Sequence, residues 1–364
     1  MKPDRIADLR RQMSEAGLDC VVMFPSANWR YVCRFAPVAN ERLCLLLVTF
    51  EHVAVVLPNF DAEEMRDAAP DALVFGWSDL EGPEGTLARA WRAISGPGLS
   101  SVAVDDGMPY LFTRLLFAAA RPATQRLLTA SLPRYRLVKS QQEIEAIRTT
   151  ATIIEQAIAA VPAVLRPGLS ERDLERIIKT ELLAGGAETL DYVLVQFGAS
   201  SAIPHHLAGD EVLVRHGNVL LDIAVTHQRY FADITRQLTL GPPAGRYADV
   251  FEVVRAAQAA GVAAAIPGAT THDVDQACRD IIEAAGLGPA FFTRTGHGLG
   301  LEVHEPPSVV AGNHLVLEPG MVITVEPGAY LAGEFGVRIE DTIAVTDSAA
   351  DRLSASPRSL VIAG

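Results

Sequence analysis

The second half of the chain contains one segment in two copies. RPGLSERDLERIIKTELLAGG begins at Arg166 and IPGATTHDVDQACRDIIEAAG begins at Ile266, so that their proline, glycine and aspartate positions coincide at an offset of 100 residues. Ser170 and Thr270 occupy matching positions and are residue types that cap the N-terminus of a helix. Each copy follows a longer helical pattern and precedes strand-like segments. The repeat therefore predicts a domain of two similar α+β halves, with a site at the seam between them.

The first third of the chain has a different pattern, in which helical and strand-like segments alternate. RIADLRRQMSEAGLD predicts a helix that ends at Gly17, and VVMF, LCLLLVTF, VAVVLP and ALVFGW predict short buried strands. Ser140 and Glu143 then form an S-x-x-E capping box at the start of a long apolar helix. We therefore predict an α/β domain over residues 1–134 and an α+β domain over residues 135–364.

The charge balance of the chain excludes several classes of partner. Lys and Arg number 31 against 44 Asp and Glu, and the net charge of −13 repels phosphate backbones and anionic lipid. We expect no nucleic-acid partner and no membrane association, because no apolar run is long enough to span a bilayer and the N-terminus does not resemble a signal peptide. Four cysteines without a CxxC pair favour free thiols, and we expect a cytoplasmic protein.

The segment LLDIAVTHQRYFADITR predicts a hairpin that brings two acids together. A turn at His227 and Gln228 would place Asp222 directly opposite Asp233 on one face. Like charges at such positions destabilise a sheet unless something neutralises them. Nearby arginines could pair with any single acid.

The segment ITVEPGAYLAGEFGVRIEDT predicts a second hairpin in the other half. A turn centred on Gly333 would place Glu326 opposite Glu340. Arg338, two residues before Glu340, would share its strand face. Each half thus contributes one acidic pair, and four acids at matched places favour divalent metal over chance arginine pairs.

Histidines accompany these acids in two glycine- or proline-containing segments. In GHGLGLEVHEPP, His297 lies between two glycines, where backbone can approach closely, and we predict it as a fifth metal ligand. His304, seven residues later, would remain for chemistry. SAIPHH adds His205 and His206. For a lone histidine a structural role is the more common explanation, but these occur together.

In this order the motifs SAIPHH, LLDIAVTHQRYFADITR, GHGLGLEVHEPP, ITVEPG and VRIEDT resemble the signature of the pita-bread metallopeptidases, family M24. That family includes the Xaa-Pro dipeptidases (prolidases), aminopeptidase P, methionine aminopeptidase and the metal-free creatinases. ANWRYVCRF and its surroundings resemble the creatinase-type N-terminal domain of prolidases. The resemblance implies an α/β creatinase-like N-terminal domain and an α+β pita-bread catalytic domain with an internal pseudo-twofold repeat.

The resemblance also implies a dinuclear centre that uses a hydroxide shared by two divalent ions. Manganese fits the mainly oxygen donors best, although Co²⁺, Fe²⁺ or Zn²⁺ could bind the same residues. Asp233 and Glu340 would bridge both ions. The full ligand set implied is Asp222, Asp233, His297, Glu326 and Glu340.

Roles around the metals follow from the same resemblance. Glu326 would also accept a proton, His304 would donate to the oxyanion, and His205 would position the substrate, with His206 as the adjacent alternative. Arg338 would fix a carboxylate. The chain departs from the usual family pattern at Ala224, where glycine is common, and at Asn218, where aspartate is common.

We therefore expect a metal-dependent exopeptidase that hydrolyses the Xaa-Pro bond of dipeptides or short peptides. Prolidase-like chains with this N-terminal domain commonly form homodimers, which we expect here too. One alternative is a hydrolase or lyase of the same fold acting on a small non-peptide compound. Another is a non-catalytic peptide-binding module.

Overall fold

The computed structural model describes residues 1–96, 98–243 and 245–364, which form two compact units. The first unit comprises Met1–Arg136 and the second Leu137–Gly364. No helix among the described residues is long and apolar enough to cross a membrane. The four cysteines are buried and free of disulfide bonds.

The first unit contains one six-stranded mixed sheet flanked by helices. Its strands are β1 (Cys20–Met23), β2 (Leu45–Thr49), β3 (Val53–Pro58), β4 (Leu73–Trp77), β5 (Ser101–Val104) and β6 (Thr124–Leu127). The strand order is β4-β3-β2-β1-β5-β6. Its helices are α1 (Pro3–Ala16), α2 (Ala27–Val32), α3 (Ala62–Ala68), α4 (Glu84–Ile94), α5 (Tyr110–Ala120) and α6 (Leu128–Ser131).

The predicted elements of the first unit are confirmed. Gly17 ends α1 in the left-handed region, with φ of 63°, and its backbone N–H bonds to the last turn of the helix. The predicted apolar strands correspond to β1–β4, and every residue of β1 and β2 is buried. Apolar runs of this kind are typical of strands covered on both faces.

The second unit contains several smaller sheets. Its helices are α7 (Gln141–Ala160), α8 (Glu171–Ala184), α9 (Tyr247–Ala264) and α10 (Thr271–Ala284). A four-stranded sheet has the order β17-β9-β8-β7, and a five-stranded sheet the order β11-β10-β12-β15-β16; β13 pairs with β14. The strands are β7 (Thr189–Phe197), β8 (Asn218–His227), β9 (Tyr230–Leu240), β10 (Gly296–Gly298), β11 (Glu305–Val309), β12 (Val322–Val325), β13 (Gly328–Leu331), β14 (Phe335–Arg338), β15 (Asp341–Val345), β16 (Ala350–Arg352) and β17 (Val361–Ala363).

The predicted repeat is confirmed in three dimensions. The hydroxyl of Ser170 accepts from the N–H of Asp173 at the start of α8, and the hydroxyl of Thr270 accepts from the N–H of Asp273 at the start of α10. The backbone preceding each helix bonds to a later segment in the same way, since the Gly168 N–H donates to the Leu213 carbonyl and the Gly268 N–H to the Leu317 carbonyl. The predicted capping box of Ser140 also forms at α7.

The register predicted for the first hairpin was wrong by one turn position. The turn consists of Gln228 and Arg229 rather than His227 and Gln228, and both turn residues have positive φ (51° and 69°). His227 is therefore part of the strand and pairs with Tyr230. Asp222 therefore faces Thr235, and Asp233 faces Ala224. The two aspartates share one face diagonally, since residues two apart along a strand point the same way.

The second hairpin follows the predicted symmetry. Gly328 pairs with Arg338 in β13 and β14, and Val325 pairs with Asp341 in β12 and β15. Glu326 and Glu340 lie between these two paired stretches, opposite each other in the same register. Gly333, with φ of 77°, lies in the turn as predicted.

Candidate metal centre

A cavity of about 450 Å³ lies in the second unit and collects most of the predicted site residues. Its walls come from β7, β8, β10, β14 and the segments beside them. The predicted residues that line it are His205, Asp222, His297, His304, Glu326, Arg338 and Glu340. Asp233 is buried and does not line the cavity, but one of its carboxylate oxygens lies within 4.8 Å of oxygens of Asp222 and Glu340, which do.

The ligand atoms of the five predicted metal-binding side chains converge. Within one set, Asp222, Asp233 and Glu340 have carboxylate oxygens within 4.8 Å of one another. A second set with the same spacing joins His297, Glu326 and Glu340. Glu340 belongs to both, so it lies between two potential ion positions.

Three buried carboxylates of the cluster, those of Asp222, Asp233 and Glu340, each have one oxygen held by a donor and one oxygen without a hydrogen-bond partner among the described residues. Arg338 donates to Asp222 Oδ2, while Asp222 Oδ1 has no hydrogen-bond partner in the described part of the chain. Tyr192 donates in the same way to Asp233 Oδ2, and no described residue donates to Asp233 Oδ1.

Glu340 repeats this arrangement. The Thr235 hydroxyl donates to Oε2 over 2.8 Å, and Oε1 is buried with no hydrogen-bond partner within residues 1–96, 98–243 and 245–364. An unsatisfied buried carboxylate oxygen is costly, and three together fit the coordination of divalent cations. The residues present therefore fit a metal centre.

The electrostatics of the acids support the same conclusion. Burial, and after it the charges of Asp222 and Glu326, raises the pKa of Asp233 well above its usual range. Burial and the charge of Asp233 do the same to the pKa of Glu340. A cation placed among them would favour the ionised forms and remove the mutual repulsion.

His297 points its imidazole into the acidic cluster from β10. Nε2 lies 3.0 Å from Glu326 Oε1 and 3.8 Å from Asp233 Oδ2. The neighbouring glycines are required by packing: a Cβ at Gly296 would lie 2.1 Å from the Thr324 carbonyl oxygen, and one at Gly298 would lie 2.2 Å from that of Pro306. The neighbouring strands β12 and β11 therefore pack closely against the backbone on either side of His297.

Glu326 differs from the other acids in its protonation. Burial acts to raise its pKa, but the hydrogen bond and charge of His297 outweigh burial, and the pKa is lowered. The Thr324 hydroxyl also donates to Glu326 Oε1 over 3.0 Å. Glu326 is therefore ionised and can accept a proton.

The other histidines occupy different surroundings. The His304 ring lies against His297, with centroids 4.3 Å apart, and burial followed by the His297 charge lowers the pKa of His304 to about 4. His304 is therefore neutral near pH 7. His205 lines the same cavity, whereas His206 turns away to Glu171, with Nε2 3.4 Å from its Oε2.

Sequence reasoning missed the hydroxyl donors that orient the acids. Thr235 lies two residues after Asp233 and so on the same strand face, a signal that alternation could have provided. Tyr192 lies in a strand of mainly apolar residues and had no such signal. Of the two departures from the family pattern, Ala224 is buried opposite Asp233, and Asn218 donates to the Ser201 hydroxyl over 3.0 Å.

Comparisons with known proteins show the family of the chain. The family model of the creatinase/prolidase N-terminal domain matches residues 5–150 of the sequence, and that of metallopeptidase family M24 matches residues 145–347. The probable dipeptidase PepE of Mycobacterium tuberculosis is 36% identical over 363 residues, which cover 98% of this chain and 96% of that protein. The Xaa-Pro dipeptidase of Pyrococcus horikoshii is 29% identical over 359 residues, 98% of this chain and 99% of that protein.

The fold is likewise found among solved structures. The crystal structure of dipeptidase PepE from Mycobacterium ulcerans has a TM-score of 0.92 and 34% identity, covering 99% of this chain and 97% of that one. The second unit accordingly has the pita-bread fold. The chain belongs to metallopeptidase family M24, with a creatinase/prolidase-type N-terminal domain.

Proposed function

We propose that the protein is a metal-dependent exopeptidase that hydrolyses the Xaa-Pro bond of dipeptides or short peptides. The observation that carries this proposal is the cluster of three buried carboxylates, those of Asp222, Asp233 and Glu340, close to His297. Each has one oxygen held by a donor and one that has no hydrogen-bond partner among the described residues. The names of the relatives, probable dipeptidase and Xaa-Pro dipeptidase, support the choice of substrate.

The metal ligands in this proposal are Asp222, Asp233, His297, Glu326 and Glu340. Because four of the five are carboxylates, we propose two divalent ions, with Mn²⁺ as the preferred metal. The ions would supply an acidified water as nucleophile and polarise the scissile carbonyl. Glu340 and Asp233 each belong to two of the clusters of potential ligand atoms and would help to hold both ions.

The protein's own side chains would handle the protons and the substrate. Glu326, ionised and beside His297, would take the proton of the attacking water. Neutral His304 would donate its N–H to the carbonyl oxygen as charge develops there. Water adds across the Xaa–Pro C–N bond, and the proline nitrogen leaves with a proton.

Two further side chains complete this assignment. His205, on the cavity wall, would position the peptide near the scissile bond. Arg338 would hold Asp222 in place through the hydrogen bond to Oδ2. His206 lies beside Glu171, outside the cavity lining, and we give it no direct contact with the substrate.

The same proposal extends to the organisation of the chain. We propose that residues 137–364 form the catalytic domain and that the protein acts as a homodimer in the cytoplasm. The prolidase-type N-terminal domain supports the dimer, and four free cysteines agree with a reducing compartment. Light scattering after size exclusion would measure the oligomeric state.

The direct test uses chelator-stripped protein with and without Mn²⁺ on alanyl-proline and alanyl-prolyl-glycine, with proline and alanine measured as products. Metal-dependent cleavage that Asp233→Asn abolishes supports the proposal. Asp280→Asn, an exposed acid on α10, should cleave like the wild type. Bound metal without cleavage of either peptide would contradict the substrate and favour a non-peptide compound or a binding module.

A further inference from the structure

His205 reaches the cavity wall from an exposed segment of the chain. Its side chain is itself exposed and has no hydrogen-bond or ion-pair partner within residues 1–96, 98–243 and 245–364. After burial and the charge of His297, the charge of His205 is among the influences that lower the pKa of His304, so these histidines are close enough to interact. The position of the His205 ring is therefore set by the backbone that carries it.

One buried side chain bonds to that backbone on both sides of His205. Gln196 lies in β7 and is fully buried. Its Nε2 donates to three carbonyl oxygens, those of Ile203 (3.2 Å), Pro204 (3.3 Å) and His206 (3.0 Å). Resting on the proposed function, we propose that Gln196 is a positioning residue that holds His205 in place for the substrate.

The orientation of the Gln196 amide follows from its surroundings. An amide nitrogen has two N–H donors, which the three carbonyl oxygens share. If the amide were turned over, its own oxygen would face three acceptors, so one orientation alone suits the site. Gln196 Oε1 is buried and accepts no hydrogen bond from a described residue. Gln196 therefore acts on the segment through its N–H donors.

The two ends of the segment are held by a different side chain. Glu171, in the first turn of α8, is fully buried. Its Oε1 accepts from the Phe197 N–H over 2.7 Å, and its Oε2 accepts from the Gly209 N–H over 2.9 Å. Loss of the Gln196 donors should therefore leave both ends in place and release the middle, where His205 lies.

The kinetic test is a double-mutant cycle between Gln196 and His205, with alanyl-proline and Mn²⁺-loaded protein. Gln196→Met keeps the length of the side chain and removes both donors. It should lower kcat/KM roughly 10- to 100-fold, the effect of a misplaced positioning group. In His205→Ala the same substitution should lower kcat/KM by less than about 2-fold, because the group that it positions is gone. Losses that multiply would overturn the proposal, since general damage to the fold acts independently of His205.

The matched control is Thr271→Val, at the place in the second copy of the repeat that corresponds to Glu171. Thr271 is fully buried, donates to the Asn313 carbonyl over 2.8 Å and does not line the cavity. Its variant also loses a buried hydrogen bond, yet kcat/KM should stay within about 2-fold of the wild type. Mn²⁺ affinity measured by calorimetry should be the same in both variants and the wild type, because neither side chain bonds to a proposed metal ligand.

Hydrogen exchange followed by mass spectrometry gives a readout that needs no turnover. The N–H groups of Ile203 and His206 are bonded within the segment, to the carbonyls of Ser200 and Ile203. Residues 203–207 should exchange roughly 10-fold faster in Gln196→Met than in the wild type or Thr271→Val. Equal rates in the three proteins would overturn the proposal.

A second variant and the exchange data keep the outcomes distinct. Gln196→Asn retains a buried amide but is one methylene shorter, and it should give the same changes if Gln196→Met does not fold. A wild type that fails to cleave alanyl-proline would contradict the proposed function alone. Faster exchange of residues 203–207 would then still support Gln196 as the residue that holds His205, and unchanged exchange would reject it.

Discussion

A buried ion pair fixes the segment that begins directly after His304. Lys139 Nζ lies 2.8 Å from Glu305 Oε1, and the two side chains are only 4% and 2% exposed. Lys139 immediately precedes the N-cap of α7, whereas Glu305 opens β11. The pair therefore joins two segments far apart in sequence, and it lies next to a residue that we assign to the chemistry.

Lys139→Met removes the ammonium and leaves a carboxylate in a dry environment. Breaking one side of a buried pair costs about 3–5 kcal/mol. For a unit the size of Leu137–Gly364, about 2–4 °C per kcal/mol gives a fall in Tm of roughly 6 to 20 °C. The matched control Lys179→Met breaks a half-exposed i,i+4 pair with Glu175 on α8, worth about 0.3–0.5 kcal/mol, and should lower Tm by less than about 2 °C.

Differential scanning calorimetry of both variants measures the difference. The double variant Lys139→Met/Glu305→Gln should recover part of the lost Tm, because the unbalanced charge is gone. A Tm for Lys139→Met equal to that of Lys179→Met would refute the reasoning. So would a double variant that is no more stable than the single one.

Two further substitutions test the packing and the hydrogen bonds of the centre. Gly298→Ala should lower the free energy of unfolding by about 1–3 kcal/mol in denaturant titrations, because its Cβ would lie 2.2 Å from the Pro306 carbonyl oxygen. The control Gly85→Ala has open space around the new methyl group and should change the free energy of unfolding by no more than about 1 kcal/mol. Equal losses of unfolding free energy in the two variants would contradict the packing argument. Arg338→Lys should weaken Mn²⁺ binding about 10- to 100-fold by calorimetry, because lysine lacks the guanidinium fork that holds Asp222; unchanged affinity would contradict that role.

The elements that local patterns specify could be predicted from the sequence. The repeat around Ser170 and Thr270 fixed two helix starts, because capping depends on residues only three positions apart. Gly333 located the second hairpin correctly, because a positive φ there favours glycine. The turn at Gln228 and Arg229 uses positive φ without glycine, so no sequence signal marked it and the predicted register was wrong.

Contacts between distant segments lay beyond sequence reasoning. Tyr192 reaches Asp233 only after three strands have assembled, and neither residue marks the other in the sequence. The separation of His205 from His206 likewise depends on which of two adjacent rings faces the cavity.

The most direct measurement of the central claim is a calorimetric titration of the chelator-stripped protein with Mn²⁺, beside Asp233→Asn. We predict about two ions per chain for the wild type and a loss of at least one of them in the variant. No binding by the wild type, or the same number of ions in both proteins, would contradict the assignment of these buried carboxylates as a dinuclear centre.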